Sequence, residues 1–186
     1  MIKQSTIYVA LAFLLFSFNI QAERNNEPTK NISGQIQDSI TVYVFLHESC
    51  VISQYYTLPL RELHEEYADE NVKFIGLFPN FSSKPNQIEI FKEKYQVPFE
   101  LKTDYYHNKK EKFEATVTPE VVVYNESKGQ LIYRGRIDDT YARVGKRKRF
   151  TTTTELKNVL ESIRHNQPVM VSNTQAIGCF IGKNKL

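Results

Sequence analysis

The stretch Ile40-Thr41-Val42-Tyr43-Val44-Phe45-Leu46 constrains this chain more than any other part of it. Apart from Leu46 it is built of β-branched and aromatic residues, which suit a pleated backbone. It shows almost no alternation of apolar and polar residues. A strand that is apolar on both faces needs cover on both, so this run predicts the central strand of a sheet sandwiched by helices. Asp38-Ser39 and His47-Glu48-Ser49 bound it. Directly afterwards comes Cys50, and the apolar period changes from that of a strand to that of a helix. Leu60, Leu63 and Tyr67 fall at i, i+3 and i+7, with charged residues between them. Pro59 lies inside this helix and is expected to kink it.

The remaining elements supply the cover. Residues 72–78 read as a second strand ending at Pro79-Asn80. After Ser82-Ser83, Ile88, Phe91 and Tyr95 share one helical face. Residues 99–101 suggest a short strand and residues 105–115 a polar helical connector. Val121-Val122-Val123-Tyr124 is a strand, residues 125–129 a turn and residues 130–134 the returning strand of an antiparallel hairpin. Leu156, Val159, Leu160 and Ile163 mark a last helix, capped by one of the preceding threonines and stopped by Pro168. Early strands alternating with helices require parallel pairing through right-handed crossovers, and the late hairpin adds antiparallel strands. The expected fold class is therefore α/β, a mixed central sheet with helices on both faces and a C-terminal β-hairpin plus helix. A chain of 186 residues fits one such domain.

The N-terminus reads as a targeting segment. Lys3 is the only charge before Glu23, and residues 7–18 form an apolar run that suits a secretory signal and is short for a membrane span. Residues 1–22 are expected to be a signal peptide ending at Ala22, with an uncleaved anchor as the alternative. Residues 23–37 form a polar leader, residues 38–168 the folded domain, and residues 169–186 a tail carrying Cys179. The expected location is outside the cytoplasm, periplasmic or extracellular, with no stable membrane insertion after signal cleavage. The formal charge is +3, and +2 once Lys3 is removed, too small to suggest nucleic acid as a partner.

Export changes the meaning of the two cysteines, Cys50 and Cys179, because thiols in an oxidising compartment can pair. Cys50 stands where a buried strand turns into a helix. The helix N-terminus offers unpaired N–H groups and partial positive charge, which favour a thiolate, the nucleophile of disulfide exchange and peroxide reduction. Cys179 lies in Ala176-Ile177-Gly178-Cys179-Phe180-Ile181, where Gly178 permits close backbone approach. It can resolve an intermediate formed on Cys50, form a structural disulfide with it, or be unrelated to it. Bridging requires Cα atoms within roughly 7 Å, which a sequence does not disclose.

The order of strand, Cys50-Val51-Ile52-Ser53, a helix with an internal proline, and Val117-Thr118-Pro119 ahead of a strand resembles the thioredoxin-like superfamily. More narrowly, the chain resembles exported redoxins of the alkyl hydroperoxide reductase/thiol-specific antioxidant group. The likeness covers about residues 38–181 and is most specific in Thr118-Pro119-Glu120-Val121-Val122-Val123 and Tyr133-Arg134-Gly135-Arg136-Ile137-Asp138-Asp139. It implies a cis bond before Pro119, with Pro119 facing Cys50. It further implies that extended Thr118 pairs its backbone with a bound peptide as an added strand. Two departures matter. Ser53 stands where a two-cysteine exchange motif has its second thiol, so it can only hydrogen-bond the sulfur or cap the helix. Tyr43 and His47 stand where the peroxidases of this group carry Pro and Thr.

These readings combine into an exported thiol-dependent oxidoreductase, acting by disulfide exchange or hydroperoxide reduction. Cys50 is its nucleophile, Ser53 stabilises the thiolate, Cys179 resolves the intermediate, and Thr118 and Pro119 position the substrate. His47 is a candidate modulator of the thiolate, against the plainer reading of a surface-loop histidine. The expected partners are a protein or small-molecule thiol, disulfide or hydroperoxide and an external thiol reductant. No organic cofactor and no metal are expected, since His47 and Cys50 lack a second ligand pair nearby. The alternative is a binding or scaffold module that has lost its redox function. The basic run Gly145-Lys146-Arg147-Lys148-Arg149 reads as a solvated loop.

Overall fold

A computed structural model describes residues 38–69 and 71–182. The expected signal peptide and leader lie outside the described residues. In chain order the elements are β1 (Ile40–Phe45), α1 (Val51–Tyr67), β2 (Val72–Phe78), α2 (Pro85–Tyr95), β3 (Glu100–Thr103), α3 (Asn108–Lys112), β4 (Val117–Thr118), β5 (Glu120–Asn125), β6 (Gln130–Gly135), β7 (Tyr141–Arg143), β8 (Lys146–Arg147), α4 (Glu155–Arg164) and β9 (Cys179–Phe180).

β1 lies in the middle of a sheet ordered β3-β2-β1-β5-β6. β1, β2 and β3 are parallel, while β5 runs antiparallel to β1, and β6 to β5. Every residue of β1 and β5 is buried, as a doubly covered strand pair must be. On one face Val42, Val44, Val121 and Val123 pack under α1, α2 and α4 through Leu60, Phe91, Leu156 and Leu160. On the other, Tyr43, Phe45, Val122 and Tyr124 pack against Phe113 and Ala115, which follow α3. This is the expected mixed sheet with helices on both faces. α1 continues through Pro59, whose missing N–H forgoes the bond to the Tyr55 carbonyl.

Some elements differ from their expected extents. The helical connector shrinks to the five residues of α3. Its start is fixed by the buried Asp104 carboxylate, which accepts hydrogen bonds from Lys109 N–H at 3.1 Å and Lys110 N–H at 2.8 Å. Its end is fixed by burial of Phe113. The basic run forms part of a small hairpin, β7 with β8, where Gly145 supplies a φ of 75°.

The expected tail returns to the domain. Arg134 N–H donates to Ser172 O and Thr174 N–H to Arg134 O, both at 3.0 Å, along the outer edge of β6. Further on, β9 pairs antiparallel with β4.

The long connection between β6 and α4 is organised by one buried carboxylate. Asp139 accepts hydrogen bonds from Thr152 N–H at 2.7 Å and Thr153 N–H at 3.1 Å. It is also bonded by the Thr152 hydroxyl and Lys148 Nζ. Burial pushes the Asp139 carboxyl up, but these donors outweigh it and hold its pKa well below the usual carboxylate range. A depressed folded-state pKa means that this stabilisation is complete above the unfolded value of about 3.9 and drains away as pH falls below it. Asp139→Asn is therefore expected to destabilise the domain by about 2–3 kcal/mol at neutral pH. Urea melts from pH 7 to pH 3 check this: the gap between wild type and variant narrows below about pH 4.

Candidate functional site

Cys50 is the residue from which α1 departs, with φ −81° and ψ 114°. Its own N–H bonds to His47 O at 3.1 Å and its carbonyl accepts from Gln54 N–H at 2.9 Å, so the turn after β1 and the first turn of α1 both hold it. The sulfur lies at the C-terminal end of β1, and residue exposure is 1%.

The register of the sheet brings Thr118 and Pro119 to the same point. Phe45 pairs with Glu120, so the residues before Glu120 must cross over the end of β1. The Thr118–Pro119 bond is cis, and the Cys50 thiol donates to Thr118 O at 3.2 Å. On the other side of Thr118 lies β9, with Cys179 opposite Thr118 and Phe180 opposite Val117. The result is a contact between the two sulfurs at 2.7 Å, both as free thiols.

The pair is electrostatically unequal. Burial pushes the Cys50 thiol up. The Cys179 S–H, followed by the Ser53 N–H and hydroxyl and the Cys179 N–H, favours the thiolate, and the net shift is downward. The Ser53 groups act without a regular side-chain cap bond. Their contribution suits a helix first turn, where the terminus alone is worth about 0.3–1 kcal/mol. Since one pKa unit is about 1.4 kcal/mol, the terminus cannot by itself outweigh burial of a thiolate. A hydrogen bond to a charged acceptor, worth about 1.5–3 kcal/mol, can. Cys179 moves the opposite way: burial, then donation to Cys50 and the charge on it, push its thiol up. The contact thus favours charge on Cys50 and disfavours it on Cys179.

Ser53 is fully buried, and its Oγ accepts from His47 N–H at 3.3 Å, which leaves the hydroxyl proton to point elsewhere. The His47 ring, named from sequence as a thiolate modulator, has its Nε2 against Ser82 Oγ at 3.2 Å and Glu48 Oε1 at 3.6 Å. What links His47 to the thiol is its backbone N–H, through Ser53. The structure therefore gathers Cys50, Ser53, Thr118, Pro119 and Cys179, and turns the His47 Nε2 toward the loop after β2.

Three residues around the site went unnoticed in the sequence. Tyr55, Tyr56 and Tyr141 stack with ring centroids 5.1–6.0 Å apart, and the Arg147 guanidinium lies over Tyr55 at 4.2 Å. Burial raises the Tyr141 hydroxyl pKa, Arg147 opposes, and charge on Tyr55 and Cys50 adds to the rise. Tyr56 donates to Asp138 Oδ1 at 2.5 Å. This cluster clamps the β6–α4 connection beside the first turns of α1. Tyr55 and Tyr56 fall on a helix by period, but nothing local in the sequence ties Tyr141 to them. Among the described residues no group of three or more His, Cys, Asp or Glu stands together as metal ligands would.

No protein-family model matches the chain, and no curated protein matches it by sequence. Solved structures are similar in fold. An uncharacterised conserved protein from Geobacillus kaustophilus is 20% identical with a TM-score of 0.70, over 81% of this chain and 80% of that one. A hypothetical protein from Sinorhizobium meliloti 1021 is 18% identical with a TM-score of 0.69, over 81% and 82%. A thioredoxin-like protein solved in solution in its oxidised form is 15% identical with a TM-score of 0.52, over 73% and 84%. The fold of this chain is thioredoxin-like.

The inequality of the two thiols can be measured. Thiolate ultraviolet absorbance followed against pH is expected to show a first step below the ordinary thiol pKa of about 8.5. Cys179→Ala removes the main donor to Cys50, and the remaining step is expected to move to higher pH. A step that stays put or moves down would contradict the assignment.

Proposed function

We propose that this protein is an exported thiol-disulfide oxidoreductase in which Cys50 is the nucleophile and Cys179 the resolving thiol. The observation that carries the reading is the 2.7 Å contact between the two free thiols, the more acidic one at the start of α1. Two sulfurs this close can pass a disulfide from one to the other, and Cys50 stands at a helix start, where the attacking thiolate is favoured.

The Cys50 thiolate attacks one sulfur of a disulfide R–S–S–R′, forming a Cys50–S–S–R bond and releasing R′S⁻. Cys179 then attacks Cys50 Sγ, expels RS⁻ and closes the Cys50–Cys179 bond, while its proton passes to the leaving thiolate. With a hydroperoxide ROOH, Cys50 takes the terminal oxygen as a sulfenic acid and releases ROH. Cys179 condenses with it, forming the same disulfide and water. In both cases two electrons leave the pair, and an external thiol reductant restores them. Thr118 contributes the carbonyl that accepts a hydrogen bond from Cys50 while it is a thiol, and Ser53 the N–H and hydroxyl that favour the thiolate. No step requires a metal or an organic group. The export reading rests on the apolar N-terminal run alone. Among the described residues no helix is long and apolar enough to cross a membrane.

Mass mapping under native conditions tests the proposal. After mild oxidation with a disulfide reagent or hydrogen peroxide, the wild type is expected to yield one Cys50–Cys179 peptide pair. Cys50→Ser is expected to leave Cys179 unmodified over the same period. Cys179→Ser is expected to stall as a mixed disulfide or sulfenic acid on Cys50. If Cys50 forms neither an adduct nor a bond to Cys179, the proposal fails and the scaffold reading takes its place.

A further inference from the structure

A strand edge beside a reactive sulfur is where an extended polypeptide docks, because an added strand gains main-chain hydrogen bonds along it. In this protein that edge is already taken by the chain itself. Cys179 and Phe180 pair with Thr118 and Val117, and Ile181 N–H donates to Thr116 O at 3.0 Å. Both flanks of the pairing segment are tied down. On one side, the Thr174 hydroxyl oxygen lies 2.6 Å from the Tyr133 hydroxyl and accepts from Arg136 N–H at 3.1 Å. On the other, Gly182 N–H donates to Asn80 Oδ1 at 3.1 Å. Two glycines admit the segment. A Cβ on Gly135, whose φ is 149°, would collide with Thr174, and one on Gly178 would collide with the Thr118 carbonyl. Thr118 is fully buried beneath it, whereas Phe180, facing outward, is 85% exposed.

We infer that residues 172–182 are a built-in substitute for a bound strand, which reserves Cys50 for small disulfides and hydroperoxides. Extended polypeptide disulfides are excluded until this segment is displaced. The inference rests on the proposed function of Cys50 and narrows its substrates. A polypeptide needs both the Thr118 edge and the sulfur, and the edge is occupied. A small oxidant needs no edge, only a brief opening over the buried Cys50 sulfur. Glycine at 178 is then a specificity determinant, since it alone lets the segment lie flat against Thr118.

The test uses two reagents that differ only in size: the mixed disulfides of 5-thio-2-nitrobenzoate with methanethiol and with a short cysteine-containing peptide. In each, the Cys50 thiolate attacks the aliphatic sulfur, a new disulfide forms on Cys50, and the same coloured thiolate leaves. Cys179→Ala serves as background, so that Cys50 is the sole thiol. There the methyl reagent is expected to react at least about tenfold faster than the peptide reagent. Adding Gly178→Val is expected to raise the peptide rate at least about tenfold more than it changes the methyl rate, which reports any change in the thiol itself. A chain ending at Gln175, which removes the strand without adding bulk, is expected to give the same result, and circular dichroism verifies that both variants are folded. Equal rates for the two reagents in the background overturn the inference while leaving Cys50 a nucleophile. So does a peptide rate that neither variant raises. If neither reagent reacts with folded protein but both react in urea, the functional reading of Cys50 falls, and this inference with it.

Discussion

Everything in this structure depends on burying β1 from four sides. Its two faces are covered by helices and by the segment after α3, and its two edges are bonded to β2 and β5. A strand held in this way cannot slip by one residue, because a slip would exchange its two faces and break both ladders at once. Its C-terminal end is therefore a fixed point. Leu46 N–H bonds to Leu77 O at 2.8 Å, the turn at His47 follows, and α1 starts at once. Since β5 enters the sheet opposite Phe45, the strand that precedes it passes directly over this point. The placement of Cys50 beneath Thr118 follows from strand register before any side-chain chemistry is considered.

On that scaffold the two sulfurs form an unequal pair. Burying a thiolate is costly, and a helix terminus offsets only part of the cost. The larger offset comes from a second thiol that keeps its own proton and donates it. Donation stabilises charge on Cys50 and resists charge on Cys179, so a single contact sets both tendencies. It depends on the C-terminal segment remaining against β4, and hence on anchors as distant in sequence as Tyr133 and Asn80. The Asp139 network plays the corresponding part for the β6–α4 connection, holding Tyr141 and Arg147 next to α1.

Much of this was legible in the chain. The run from Ile40 to Leu46 and the spacing of Leu60, Leu63 and Tyr67 determined the strand, the helix and the sulfur between them. The alternation of elements led to the mixed sheet, because periods of two and near 3.6 residues are local properties of a sequence. Gly178 could be read as a point of close approach. What stood opposite it could not, because residues 178 and 118 meet only through the fold. The same holds for the His47 ring, whose Nε2 partners are Ser82 and Glu48, and for Tyr141, whose neighbours come from α1. It holds too for the end of α3, which depends on Phe113 packing against Tyr43 of β1 and Tyr124 of β5. By itself, then, the sequence determined a strand-to-helix thiol with no second cysteine in its own turn. Only the tertiary structure decided that Cys179 lies against Cys50 and that its strand covers the edge beside Cys50, since pairing between residues so far apart is set by register and packing rather than by any local preference.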